Sequence, residues 1–392
     1  MKKYFPLFGV FYLLCAFSAH AGEGRYTIPL TGGGWSLWLD KEASWQNDRL
    51  YLEITDLSLL PVNVPTGGWQ TLSHNPDAVP VEVPGTVEEY LTVTDNPRPE
   101  NFRGVSWWYR KITIPADQQK KRFIIYFESV RMRAEVYLDG KLVAYDLIGE
   151  TPFHVDITDE AKPGKEQLLA IRVTNPGGNF HWQDFDIMKW GEYNIPPSRS
   201  FTGIIGRVKL ESVNPVFISD IYMQNTPELT KVNAILSFTN ETSSSVKQDV
   251  ELIVNEKGNP DKVVFQQTLK AISFPAGNHE VTIPVNVPDA KLWDLSTPEL
   301  YTCNVLIKKG KKMLDQDKKD FGFRWFTVDG VGKDAVLRLN GRRIMLRSAI
   351  SWGYFPVTGL IATTEMAEKQ VRTAKSLGLN MLNFHRCIGS PV

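Results

Sequence analysis

The densest gathering of chemically capable side chains is Phe180-His181-Trp182-Gln183-Asp184-Phe185-Asp186, followed by Trp190 and Tyr193. Flat aromatic faces beside acceptors suit polyhydroxylated ligands. A ring such as Trp182 covers the apolar C–H face, and Asp184 accepts from hydroxyl groups. The same aromatics would serve equally well as packing between two domains. A second group lies near the end of the sequence, with Trp352 after one apolar run and Asn383, His385 and Arg386 closing another. Trp352 offers either a stacking face or a core aromatic. His385 offers either a hydrogen-bonding group or a satisfied structural histidine, and Arg386 presents a fork that can grip a carboxylate. The six histidines are scattered, and no Cys/His/Asp spacing resembles a metal site, so neither metal nor cofactor is expected.

The elements that must position the second group are legible. Asp334 to Ser348 predicts a hairpin, with Val336, Leu337 and Leu339 on one arm and Ile344, Met345 and Leu346 on the other. Asn340-Gly341 between them tolerates the positive φ angles of a type I′ turn. A helix follows. Thr364 is the expected cap, Glu365 suits the positive end of the dipole, and Ala367, Val371, Ala374 and Leu377 share a face. Gly378 stops it, and Leu379 to Phe384 predicts a buried strand. Strand, crossover helix and parallel strand make the unit of an α/β barrel, whose sites gather at the C-terminal ends of its strands. Trp352 and Asn383 to Arg386 fall at such ends. A whole barrel needs about 250 residues, and residues 327–392 hold about one unit, so an incomplete (β/α)8 barrel is expected there.

Upstream, short alternating runs separated by turn residues dominate, and helical periodicity is nearly absent. Residues 22–213 predict a jelly-roll β-sandwich, with Asp139-Gly140 as a hairpin turn and 61–99 as long loops. About seven short strands between residues 214 and 326 predict an immunoglobulin-like sandwich. Within it, Lys308 to Lys319 is expected to be a solvated hairpin tip. Residues beyond about Asp334 are expected to pack less well than the sandwiches.

Residues 1–21 have the form of a secretory signal: Lys2-Lys3, an apolar stretch from Phe5 to Phe17, and Ala19-His20-Ala21 as cleavage site. That stretch is shorter than the roughly 20 residues of a membrane span, and Leu14 before Cys15 does not suit a lipid anchor. An exported protein, periplasmic or extracellular, without a membrane anchor is expected. Lys plus Arg equals Asp plus Glu at 44 each, so no net field draws nucleic acid. Cys303 and Cys387 lie in different expected domains, which argues against a disulfide framework. Nothing in the composition excludes a homo-oligomer.

Order and motifs together resemble family-2 glycoside hydrolases, the group of β-galactosidases, β-glucuronidases and β-mannosidases. The resemblance is carried by Ser106-Trp107-Trp108-Tyr109-Arg110, by Val136-Tyr137-Leu138-Asp139-Gly140-Lys141, and by Thr202-Gly203-Ile204-Ile205-Gly206-Arg207-Val208. Further on it is carried by Leu292-Trp293-Asp294-Leu295 with Pro298-Glu299-Leu300-Tyr301, and by Phe321-Gly322-Phe323-Arg324. It implies a jelly-roll sugar-binding domain, an immunoglobulin-like domain and a catalytic barrel, in that order. It also implies hydrolysis of O-glycosyl bonds in an oligosaccharide or glycoside by two glutamates, one of them in an Asn-Glu pair after the fourth barrel strand.

The Asn-Glu pairs present are Asn240-Glu241 and Asn255-Glu256, both in turn-like segments and read as solvated loop residues. No residue here is therefore assigned a catalytic role, and the glutamates are expected beyond Val392. The family shows an arginine where Asn383 stands, so the sugar preference of its members does not transfer. A second reading, of another class, is a non-catalytic carbohydrate-binding protein or inactive remnant, in which Trp182 and Trp190 would carry binding.

Overall fold

A computed structural model describes residues 24–45, 56–91, 102, 104–149, 151–175, 189–190, 193–194, 202–351 and 363–384. The first unit is a sandwich of two antiparallel sheets. Six strands form one sheet, in the order Val79–Val83, Gly32–Asp40, Gly104–Thr113, Glu166–Asn175, Arg133–Leu138 and Lys141–Asp146. Four form the other: Tyr26–Pro29, Val208–Val213, Arg122–Phe127 and Phe153–Asp156.

Alternation along each strand decides what the core receives. Trp108, Val136, Leu138, Ile171 and Val173 face the second sheet and are buried with Ile125, Phe127 and Leu210. Neighbours of opposite parity, Trp107, Tyr109 and Tyr137, point outward, yet they too are buried. The segment 56–78 folds back over that face and closes a second apolar cluster with Leu72 and Trp69. Trp69 meets Trp107 edge-on at 5.6 Å and Tyr137 at 5.0 Å, a geometry aromatic quadrupoles favour. Within the stretch expected to be all loop, the helices Gln70–His74 and Val87–Tyr90 and the strand Val79–Val83 form, because burial of Leu72, Val81, Val83 and Val87 outweighs the turn-rich composition. Asp139 and Gly140 both take positive φ, 49° and 84°, as the tight turn requires.

The second unit has seven strands. Val216–Asn225, Lys231–Asn240 and Gly277–Asn286 face Asn259–Phe274, Val246–Glu256, Tyr301–Lys309 and Lys312–Phe321. Its core joins Phe238, Phe274, Ile283, Val305, Tyr301 and Phe323, and Cys303 is buried there as a free thiol.

Beyond Phe323 the packing thins. Leu339 is the one buried residue among those described there. Phe326–Asp329, Val336–Leu339 and Arg342–Arg343 form a small antiparallel sheet around Asn340-Gly341, whose φ angles are 52° and 78°. The second arm of this hairpin is shorter than expected. The Ile344 N–H still donates to the Leu337 carbonyl at 2.8 Å; beyond it Asn380 clamps Arg347, whose N–H donates to Asn380 Oδ1 at 2.8 Å and whose carbonyl accepts the Asn380 N–H at 3.0 Å.

That clamp starts the strand Ser348–Ser351, which pairs parallel with Met381–Phe384. Between them runs the helix Thr364–Ser376. Its cap is Thr363, one residue earlier than expected, whose hydroxyl accepts from the Met366 N–H at 3.2 Å. Met381–Phe384 is not buried: among the described residues it pairs with one neighbouring strand, and Met381 and Phe384 stay exposed. Strand, helix and parallel strand are thus present as one unit; the sandwiches, not this unit, supply the cores.

Candidate functional site

Asn383 sits in the parallel pair opposite Ile350, exposed, one residue before the strand ends. Trp352 follows the first of these strands in sequence, and His385 and Arg386 follow the second; all three lie outside the described residues, as do Trp182 and Asp184. Of the aromatic segment, Lys189–Trp190 and Tyr193–Asn194 are seen as a short antiparallel pairing. The structure therefore brings Asn383 to the end of a parallel strand, where barrel chemistry would sit, and describes no contact between the expected site residues.

The Asn-Glu pairs differ from expectation. Asn240 is buried, and its Nδ2 donates to the carbonyls of Ser244 and Phe274, both at 2.9 Å, while Oδ1 accepts from the Thr242 N–H. Asn255 is also buried, taking Asn304 Nδ2 at 3.0 Å. These asparagines satisfy backbone and side-chain groups at strand ends that would otherwise be buried without partners. Glu241 and Glu256 face outward, toward Arg122 and toward Lys262 and Lys291. Neither pair presents two carboxyl groups across a cleft.

A concave, polar and charged region does exist where the two sandwiches meet, and apart from Glu241 the sequence does not single out its residues. Arg25 reaches across: its Nη1 lies 3.1 Å from Glu211 on its own sandwich, and its Nη2 3.1 Å from Asp315 on the other. Asp315 is fully buried and also accepts the Ile218 N–H at 2.7 Å. The hairpin Lys308 to Lys319 is therefore not merely a solvated tip. One carboxylate of its charged run turns inward to meet a guanidinium that lies 290 residues away in sequence. Burial by itself would lower the Arg25 pKa; Asp315, then Glu211 and Asp317, reverse that and hold it above its ordinary value. Burial pushes the Asp315 carboxyl up, and Arg25 offsets part of the rise.

Beside this network lies a cleft of about 580 Å³. His154 and Asp156 line it from the first sandwich, and Thr239, His279 and Glu280 from the second. Arg122 pairs with Asp156 and, at 3.5 Å, with Glu241, a second ionic link between the units. Among the described residues no group of three or more His, Cys, Asp or Glu is arranged to hold a metal ion, and no helix is long and apolar enough to cross a membrane.

One buried acid stands apart. Glu88, two residues after the capping residue Thr86 of the short helix Val87–Tyr90, accepts the Thr202 N–H through Oε2 at 3.1 Å, while Oε1 has no hydrogen-bond partner among the described residues. Burial pushes its pKa up to about 8; the Thr202 bond and the charge of Arg131 offset only part of this. In the unfolded chain the proton leaves near 4.5, the ordinary value. The folded state therefore holds more protons between about pH 4.5 and 8, and stability falls as pH rises through that window. Glu88→Gln is expected to flatten this dependence and to stabilise the protein at pH 8.5 by roughly 2–4 kcal/mol. Urea midpoints measured from pH 5 to 9 check it, and parallel curves for the two proteins would refute it.

Two antiparallel sandwiches in series, leading into a parallel strand pair with a crossover helix, define a modular β-protein that hands its chain to an α/β unit. Comparison with known families agrees with this division. Residues 31–194 match the family model described as "Glycosyl hydrolases family 2, sugar binding domain", and residues 216–324 match "Glycosyl hydrolases family 2". The chain belongs to glycosyl hydrolase family 2.

A β-glucuronidase of Formosa agariphila is 25% identical over 307 residues, covering 74% of this chain and 30% of that protein. A β-galactosidase of Bacteroides ovatus is 24% identical over 295 residues, 74% of this chain and 32% of that one. The chain thus spans about a third of the length of these relatives. Among solved structures, a family 2 member from Bacteroides cellulosilyticus superposes with a TM-score of 0.70 at 19% identity, over 93% of this chain and 45% of that one. The β-glucuronidase of Ruminococcus gnavus superposes with 0.67 at 19% identity, over 94% and 56%. At these identities the structures speak for the fold.

Proposed function

We propose that this sequence is the N-terminal portion of an exported hydrolase of O-glycosyl bonds, in a family whose matched members include β-glucuronidases and β-galactosidases. The observation that carries the reading is the order of parts: two family 2 domains, a short antiparallel sheet, then strand, helix and parallel strand. The work of these residues is to hold the start of a barrel. Asn340 accepts the Trp325 N–H and donates to the Trp293 carbonyl, each at 2.9 Å, and Arg324 lies 4.6 Å from the Trp293 ring centroid. These contacts tie the barrel entry to the second sandwich. Residues 1–21 direct export, and Trp352, Asn383, His385 and Arg386 are assigned to one side of a substrate pocket.

A retaining glycosidase needs two carboxyl groups about 5–5.5 Å apart, and neither Asn-Glu pair here supplies them. The 392-residue polypeptide is accordingly expected to show no turnover of nitrophenyl β-glucuronide or β-galactoside. Turnover abolished by Glu241→Gln or Glu256→Gln would sink this assignment. A reading frame that continues past Val392 to an Asn-Glu pair at the end of a barrel strand is the supporting result. The second reading, a non-catalytic carbohydrate binder, rests on the sugar-binding description of the first family domain. Its own expectation is saturable oligosaccharide binding that weakens with Trp182→Ala or Trp190→Ala.

A further inference from the structure

We propose that the cleft between the two sandwiches is a binding site for a neutral saccharide, separate from any barrel pocket. Its volume of about 580 Å³ falls within the roughly 300–1,000 Å³ of small-molecule sites, which favour domain interfaces. The fixed charges around it are largely matched: Asp156 and Glu241 by Arg122, and Glu211 by Arg25 and Lys209. An anionic ligand would have to break one of these pairs to reach a cation, whereas a neutral one leaves them intact.

What remains open is hydrogen-bonding capacity of both kinds. His154 and His279 make ring contacts with Tyr126 at 5.1 Å and Phe274 at 5.9 Å, and among the described residues neither engages a ring nitrogen in a hydrogen bond. Glu280, Ser219 and Ser237 line the same cleft with side-chain oxygens that hold no hydrogen bond among those residues. A carboxylate that can accept two hydroxyls, imidazoles that donate or accept, and serine hydroxyls complement the hydroxyl edge of a sugar. Phe217, on the apolar part of the lining, can complement its C–H face. The two walls come from different sandwiches, which the Arg25 and Arg122 bridges help to hold together.

The choice of saccharide over another neutral polyol rests on the glycoside-directed reading above, but the test does not use turnover. Ligand-observed NMR titration of the 392-residue polypeptide uses lactose and cellobiose as neutral probes and digalacturonate as a charged one. Saturable binding of a neutral disaccharide is expected, weakened by Glu280→Ala and by His279→Ala about three- to tenfold each, the worth of one hydrogen bond. Both side chains are partly or fully exposed, so the thermal midpoint should not move. Absence of saturable binding by either neutral probe, affinity unchanged in both variants, or tighter binding of digalacturonate would each overturn the proposal. None of these outcomes bears on whether the longer enzyme hydrolyses glycosides, which the turnover assay decides separately.

Discussion

Arg25→Met is expected to cost about 3–5 kcal/mol of stability, the scale for removing one member of a buried ion network. The guanidinium touches Glu211, Asp315 and Asp317 and donates to the Ile218 carbonyl, and its side chain is only 10% exposed. Asp315 pays most for its loss. It is fully buried, and without Arg25 it keeps the Ile218 N–H but loses its ion-pair partner. The double variant Arg25→Met, Asp315→Asn should regain a large part of the loss, since replacing both members removes the stranded charge. Urea unfolding followed by tryptophan fluorescence and far-ultraviolet circular dichroism measures it. A loss below about 1 kcal/mol, the worth of a surface pair, would mean that the two sandwiches do not depend on this link. The orientation of the units should loosen with it, so small-angle scattering is expected to show a broader distance distribution for Arg25→Met.

Glu135→Ala is expected to have an effect of the same size for a different reason. Glu135 is fully buried on the outer face of the six-stranded sheet. It accepts from Arg133 Nη2 at 2.8 Å, Arg172 Nη1 at 3.0 Å and Asn63 Nδ2 at 2.9 and 3.1 Å. Asn63 belongs to the segment that folds over this face, and its own N–H donates to the Tyr137 hydroxyl at 3.1 Å. Removing the carboxylate deprives two buried guanidiniums of this counter-charge and unpins the covering segment, a loss of about 3–5 kcal/mol. Limited proteolysis between residues 56 and 78 should accelerate in step with the loss of stability. Glu135→Gln, which keeps the shape and one set of acceptor contacts, should lie between wild type and alanine. Proteolysis unchanged in both variants would count against the pinning role.

These two sites also show where sequence reasoning stops. The strand Arg133–Leu138 is legible, because Ala134, Val136 and Leu138 alternate with larger polar residues before an Asp-Gly turn. By that pattern Glu135 and Tyr137 belong to the face away from the core, and solvent is the natural expectation there. The return of segment 56–78 over this face helps bury them. Asp315 is one acid among several charges between Lys308 and Lys319, and local sequence does not distinguish it from Asp317, which stays partly exposed. Its partner lies far away in the chain. Asn240 and Asn255 depart from local pattern in the same way: their surroundings in sequence are those of turns, while their side chains close buried strand ends. The helix Thr364–Ser376 was legible almost to the residue, because capping, dipole and 3.6-residue spacing all act within a few positions.

The sequence by itself determined the two sandwiches, their order, the Asp139-Gly140 and Asn340-Gly341 turns, and the strand–helix–strand unit that follows. Each of these rests on interactions between near neighbours or on alternation along one strand, which a linear pattern records. The tertiary structure alone decided which charges are buried, that Arg25 and Arg122 bridge the sandwiches, and that a polar cleft opens between them. Those features depend on residues brought together from distant parts of the chain by the packing of whole sheets. Burial then sets the energies: a carboxylate that costs nothing in water becomes, as with Glu88, Glu135 or Asp315, a group whose partner determines whether the fold tolerates it.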